Sequence, residues 1–203
     1  MRSITCPCTH VFEADIPESI DLDVDGSQLG ALADGTFLTV TCPNCGYQSK
    51  PEFPLTIIWP SRALALRVIP EIDRGEFYRT ESQKDETPVV IGYPELAERV
   101  AVVAAGLDVL AVEAIKYFLL LKAEEAAPDA EVGAWFSAKT GETVEFHLHG
   151  LKTDEVAVSR VPLALYERTL ADSRATPTQE PFASLRYGPY LSVQNVLRPE
   201  IEE

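Results

Sequence analysis

Four cysteines constrain this chain more than any other feature: Cys6 and Cys8, then Cys42 and Cys45, all within the first 45 of 203 residues. In a reducing compartment, cysteines in two close pairs are metal ligands or redox groups more often than disulfides. The second pair lies in Thr41-Cys42-Pro43-Asn44-Cys45-Gly46-Tyr47. Two intervening residues let a tight turn bring both sulfurs to one side of the chain, where they can share a metal ion. Pro43 pre-sets φ for that turn, and Gly46 permits the positive φ that lets backbone amides point at sulfur. The run Phe37-Leu38-Thr39-Val40-Thr41 alternates like a strand leading into the turn. This pattern is one half-site of a zinc ribbon.

The first pair is shorter. Cys6-Pro7-Cys8 leaves one residue between the sulfurs where a ribbon turn has two. A tetrahedral ion can still take both thiolates in a tighter chelate, or His10 can supply a ligand while one cysteine stands aside. The leading reading is a structural zinc closed by Cys6, Cys8, Cys42 and Cys45; a site containing His10, another metal, or none are the alternatives. Thiol redox chemistry is the rival use of a Cys-Pro-Asn-Cys sequence. Redox pairs usually open a helix, whose N-terminal dipole lowers the thiol pKa, whereas Gly46-Tyr47-Gln48-Ser49-Lys50-Pro51 is a poor helix start. Hydrolysis is disfavoured too, because four protein ligands leave zinc no open position for water.

Charge narrows the partners. The chain has 32 acidic against 17 basic residues, a formal net charge of -15. Both the first 80 residues and the remainder are net acidic, so no basic region is concealed. Such a chain repels nucleic-acid phosphates and anionic membranes. The opening Met1-Arg2-Ser3-Ile4-Thr5-Cys6 lacks the apolar core of a signal peptide. The apolar stretch from Val100 to Leu121 is interrupted by Asp108, Glu113 and Lys116, which argues against a membrane span. The expectation is a soluble, cytoplasmic protein.

Ile4-Thr5-Cys6-Pro7, an acidic connector, Phe37 to Gly46 and Phe53-Pro54-Leu55 together resemble the CpXC family of bacterial proteins. The resemblance runs on through Leu96-Ala97-Glu98-Arg99-Val100, Ala105-Gly106-Leu107-Asp108 and Val112-Glu113-Ala114-Ile115-Lys116, covering about residues 4 to 122, and more weakly to Tyr166. Cys42-Pro43-Asn44-Cys45 carries the Cys-Pro-x-Cys motif of the family intact, and Cys6-Pro7-Cys8 is one residue short of it. The resemblance implies a zinc-ribbon module of unassigned function, and no reaction.

Elsewhere the chain offers weaker signals. Asp21-Leu22-Asp23-Val24-Asp25-Gly26 is like the start of a calcium loop, but the twelfth position is Leu32 where calcium needs a bidentate Glu. The acids from Asp15 to Asp25 therefore read as a solvated connector. Leu55–Trp59 and Ala63–Ile69, joined by Pro60-Ser61-Arg62, predict a hairpin extending the ribbon into a small antiparallel sheet. A polar linker is expected from Thr80 to Thr87. Two helices follow, from about Pro94 to Ala105 and Leu107 to Ala127, parted at Gly106 and ended by Pro128. Leu107, Leu110, Ala114, Ile115 and Phe118 form one apolar stripe of the second, widened by Val112 and Leu119. Three turn-punctuated runs, Glu131–Phe136, Thr143–His149 and Glu155–Ser159, predict an antiparallel meander. His147 and His149 share a strand face, but two ligands do not make a metal site. Pro162 is placed to open a short helix to about Asp172. From Ser173 onward Phe182, Leu185, Tyr187, Tyr190, Leu191, Val193, Val196 and Leu197 are too apolar for a solvated tail.

The expected fold is α+β: an N-terminal zinc-ribbon and antiparallel hairpin module over residues 1–80, then a helical pair with a small antiparallel sheet and short helix over 88–172. The tail, 173–203, docks on its own domain or on a partner, making a protein partner or self-association the expected interaction. The expected function is a non-enzymatic scaffold or interaction module with one structural zinc; the alternative is an enzyme using the cysteines for redox chemistry or an open zinc for hydrolysis. No catalytic constellation or phosphate-binding glycine loop is present.

Overall fold

A computed structural model describes residues 1–80 and 86–197. Strands β1 (Arg2–Thr5) and β2 (Val11–Ala14) pair antiparallel around the first cysteine pair. β3 (Ser19–Asp21) and helix α1 (Ser27–Ala33) precede the short ladder of β4 (Val40–Thr41) and β5 (Gln48–Ser49) around the second. Next come β6 (Leu55–Trp59), β7 (Leu64–Ile69), α2 (Arg74–Thr80) and β8 (Val89–Ile91). Helices α3 (Tyr93–Ala104) and α4 (Val109–Ala126) lead to the strands β9 (Gly133–Thr140), β10 (Thr143–Lys152) and β11 (Glu155–Pro162). The chain ends in α5 (Leu163–Ala175) and a small hairpin, β12 (Arg186–Tyr187) and β13 (Tyr190–Leu191). The fold is α+β, with an N-terminal antiparallel hairpin and a C-terminal antiparallel sheet. The polar linker expected from Thr80 to Thr87 falls largely outside the described residues, as does the tail from Arg198. The chain divides into two units, residues 1–97 and 98–203, where the sequence suggested breaks between 80 and 88 and at 173.

In the first unit the expected hairpin forms, with β6 and β7 antiparallel across the Pro60–Arg62 turn. It does not extend the ribbon. The cysteine-bearing ladders are separate two-stranded pairs, and the hairpin is the middle of a mixed sheet in which β3 runs parallel to β6 and β8 parallel to β7. A parallel neighbour needs a crossover, and α2 lies in the segment joining β7 to β8. The acidic connector likewise holds structure. Ile20 and Leu22 are buried while Asp21 between them is half-exposed, so Ser19–Asp21 is a strand. Its acids take protein donors: Asp23 accepts from the Ser61 amide (2.7 Å) and hydroxyl (2.6 Å), and Asp25 from Ser27 (2.5 Å) and Gln28 (2.9 Å). The strand expected at Phe37–Thr41 shrinks to Val40–Thr41. Leu38 takes a positive φ of 48°, the Thr39 amide donates to the Thr36 carbonyl (3.0 Å), and Phe37 is buried edge-on against Tyr93.

In the second unit Gly106, at φ 68°, ends α3, and the Asp108 carboxylate caps α4 by accepting the Ala111 amide (3.0 Å). Leu107, Leu110, Ala114 and Ile115 are buried as expected, but Phe118 is 45% exposed. One side of the β11-β10-β9 sheet packs Phe136, Val144, Phe146 and Val161 against Val112, Ile115 and Tyr166. Pro162 ends β11 instead of opening α5, which starts at Leu163. The tail residues Phe182, Leu185 and Val193 pack with Leu110, Ala114, Leu120 and Leu148 of the same unit.

Buried among these apolar groups is an ion network. The Lys116 ammonium donates to Glu98 (2.7 Å) and Glu113 (3.1 Å), all three residues being under 10% exposed. The remaining carboxylate oxygens accept the amides of Phe136 (2.5 Å) and Val193 (2.7 Å), and Arg99 donates to the Leu191 carbonyl (2.5 Å). Glu98, Glu113 and Arg99 thus each satisfy a backbone group that the tail or β9 would otherwise leave unpaired, and Lys116 neutralises the two carboxylates.

Candidate metal centre

The four cysteines meet. Their sulfurs all lie within 4.8 Å of one another, with Cys6 Sγ 3.6 Å from Cys45 Sγ and Cys8 Sγ 3.8 Å from Cys42 Sγ. Cys6 and Cys42, the first of each pair, are buried, while Cys8 and Cys45 are exposed. This is the one group of three or more metal-ligating side chains among the described residues. Such a set can hold a metal ion.

Two turns built to one plan bring the sulfurs together. In the second, the Cys42 amide donates to the Tyr47 carbonyl and the Gly46 amide to the Cys42 carbonyl, both at 2.9 Å, with Gly46 at φ 74°. In the first, the Cys6 amide donates to the His10 carbonyl (2.9 Å) and the Thr9 amide to the Cys6 carbonyl (2.8 Å), with Thr9 at φ 69°. The missing residue of Cys6-Pro7-Cys8 is absorbed inside the turn, and its frame is otherwise kept. Thr9 therefore stands where Gly46 stands, in a conformation that a β-branched residue rarely adopts. Sequence reasoning missed Thr9; aligning the residues that follow each second cysteine, Thr9 with Gly46, would have found it.

The surrounding donors favour thiolate. The His10 amide points at the Cys8 sulfur and the Tyr47 amide at that of Cys45, the same relation in both turns. The Asn44 side-chain amide, also missed from sequence, reaches across to Cys8 Sγ (3.7 Å). The His10 amide foremost, then the thiols of Cys45 and Cys6, bring Cys8 down to about 6. The Cys8 amide draws Cys6 downward, but burial and the neighbouring thiols outweigh it and push Cys6 up to about 12. Four sulfurs this close cannot all be charged without a cation between them, so the first to ionise suppresses the next.

The other candidate ligands stay apart. The His10 ring stacks on Phe12, 6.3 Å between centroids. His147 Nε2 lies 3.6 Å from a Glu145 oxygen on its own strand, and neither it nor His149 joins a metal-ligating group among the described residues. Gln48–Ser49, just after the second turn, is a strand and not the helix a redox pair would need.

The model of the CpXC protein family matches residues 4–116, more than half the chain, including both turns. A protein of Treponema pallidum (strain Nichols), described as an uncharacterized protein, is 30% identical over 220 aligned residues, spanning 97% of this chain and 98% of the relative. No solved structure matches. The family match, the full-length relative and the paired cysteine turns agree: the chain belongs to the CpXC family.

Proposed function

We infer that this protein is a non-enzymatic, cytoplasmic interaction module whose first unit is held by one structural zinc ion on Cys6, Cys8, Cys42 and Cys45. The observation that carries the reading is the spacing of the sulfurs. A tetrahedral zinc with bonds of about 2.3 Å places its sulfurs about 3.8 Å apart, and the two contacting pairs lie at 3.6 and 3.8 Å. Thiolate softness favours zinc over the oxygen-seeking cations, and four unoxidised thiols suit a reducing compartment. Amides aimed at sulfur stabilise the charged ligands. With all four positions taken, the ion has no place for a substrate water, and its free energy of binding goes into folding.

Cobalt(II) exchanged into the purified protein tests this directly. The ligand-field and charge-transfer bands of a tetrahedral four-sulfur site are expected, unchanged when cyanide or imidazole is added. Bands that shift on adding either ligand would reveal an open position and favour the hydrolytic reading.

A further inference from the structure

The second unit carries a groove of about 550 Å³ between α4, α5 and β11, and its chemistry departs from that of the rest of the chain. Phe118 of α4 and Leu165 of α5, 45% and 49% exposed, supply large apolar surface to it. Lys122, Arg160 and Arg168 also line it, with Asp172 as the single acid. The groove side chains thus bring Lys122 and Arg168 against one anion, a local reversal in a chain of net charge -15. Among the described residues neither Lys122 nor Arg168 has an ion-pair partner, whereas Lys116 and Lys152 do. The Arg160 side chain alternates with that of Val161 and bonds Glu145 through Nε (3.0 Å), so its charge lies on the other face of the sheet. Where carboxylates outnumber cations, two unpaired cations beside exposed apolar side chains fit an anionic, partly apolar occupant.

The third wall says what form that occupant takes. β11 is an edge of its sheet, with β10 on one side only. The Leu163 amide donates to the Glu142 carbonyl (2.7 Å), and Thr143 opposes Pro162. Alternation from that bond turns the amides and carbonyls of Val161 and Ser159 toward β10, and those of Arg160 and Val158 toward the open edge. Pro162 has no N–H and ends the run. An extended chain can therefore pair with Val158 and Arg160 while its alternate side chains reach Phe118 and Leu165.

We propose that this groove binds an extended acidic segment of a partner protein, added as a strand to the edge of β11, whose helix-facing side chains, every second residue, include both carboxylates and apolar groups. The proposal rests on the interaction-module reading and names its docking surface and the class of partner. General electrostatics opposes it, since an acidic peptide is repelled by most of this chain, so saturable binding must be local.

The test is a fluorescence-anisotropy titration of the full-length protein with a fluorescein-labelled peptide repeating Leu-Thr-Glu-Thr, which puts Leu and Glu on one strand face, beside the same peptide with Lys in place of Glu. Saturable binding of the Glu peptide is expected, weakened at least about tenfold by Lys122→Glu with Arg168→Glu and by raised salt. In amide NMR spectra, Val158 and Arg160 should move and become protected from exchange. The substituted side chains are surface groups, and an unchanged melting temperature verifies the fold. No binding of the Glu peptide, equal binding by the charge-reversed variant, or preference for the Lys peptide would overturn the proposal. So would a wild-type dimer in sedimentation that Phe118→Asp dissociates, because a second copy would then cover the face. A cobalt site closed to added ligands together with any of these failures removes this inference and leaves the metal reading standing.

Discussion

Thr9 and Gly46 hold equivalent places in the two cysteine turns, at φ 69° and 74°, and only one of them is suited to it. A left-handed conformation costs an ordinary residue about 1–2 kcal/mol, more for a β-branched one, and glycine almost nothing. Thr9→Gly should therefore stabilise the protein, by about 0.5–1 kcal/mol after the greater unfolded-state freedom of glycine is subtracted. Gly46→Ala should destabilise it by about 1 kcal/mol. A Cβ at Gly46 would meet no atom within 4 Å, so that loss reports backbone conformation alone. Urea denaturation of the metal-loaded proteins measures both. A destabilised Thr9→Gly variant would show that the Thr9 side chain contributes something the turn geometry does not reveal.

Among the elements, α3 and α4 are joined to β9 and the tail by the Glu98–Lys116–Glu113 network. Burial pushes the Glu98 carboxyl up, and the Lys116 ammonium pulls it back only in part. Burial draws the Lys116 ammonium down, but Glu113 and Glu98 together more than reverse this and hold it above its ordinary value. A raised lysine contributes stability below its unfolded pKa of about 10.4 that is lost as pH rises through its folded value. A raised glutamate has its full contribution below about pH 4.3 and loses it as pH rises. Lys116→Met leaves two buried carboxylates without their cation and should cost about 3–5 kcal/mol at pH 7. Because burial already raises the Glu98 carboxyl and protonation relieves it, the deficit against wild type should narrow toward pH 5. Glu98→Gln, which keeps an acceptor for the Phe136 amide, should cost no more than about 1–2 kcal/mol. A Lys116→Met deficit below 1 kcal/mol, or one independent of pH, would contradict the paired-charge account.

How legible these elements were depended on where their patterns were local. The α3–α4 break was readable because Gly106 and Asp108 are local stop and start signals, and the β9–β11 meander because alternation and turns coincide. The cysteine cluster was readable because ligand type and spacing carry the geometry with them. β3 was not read, since Asp21 and the aspartates that follow it imitate a connector; the alternation of Ile20 and Leu22 was the signal available. The parallel pairings of β3 with β6 and β7 with β8 were invisible for a different reason. Strand direction is set by crossovers, and no residue pattern within a strand encodes it. The ion network escaped because Glu113 and Lys116 look like the solvent face of a helix until Glu98 and the tail are placed around them.

Taken whole, the molecule is an acidic chain in two units, with the four thiols confined to the first and the basic-rimmed groove to the second. Among the described residues no helix is long and apolar enough to cross a membrane. A net charge of -15 works against compactness by self-repulsion. Against that, a structural zinc contributes apparent free energies of about 10–16 kcal/mol, comparable to the whole stability of an ordinary domain. The central claim is that four cysteines close around one zinc ion on which the fold of the first unit depends. Metal analysis of the purified protein by plasma mass spectrometry, paired with melting curves of wild type, Cys42→Ser and Cys45→Ser, tests it most directly. The account predicts about one zinc per wild-type chain, and loss of the metal with a large fall in melting temperature or in soluble yield for both variants. A wild-type protein that is fully folded with less than about half an equivalent of zinc, or variants that melt where wild type does, would contradict it.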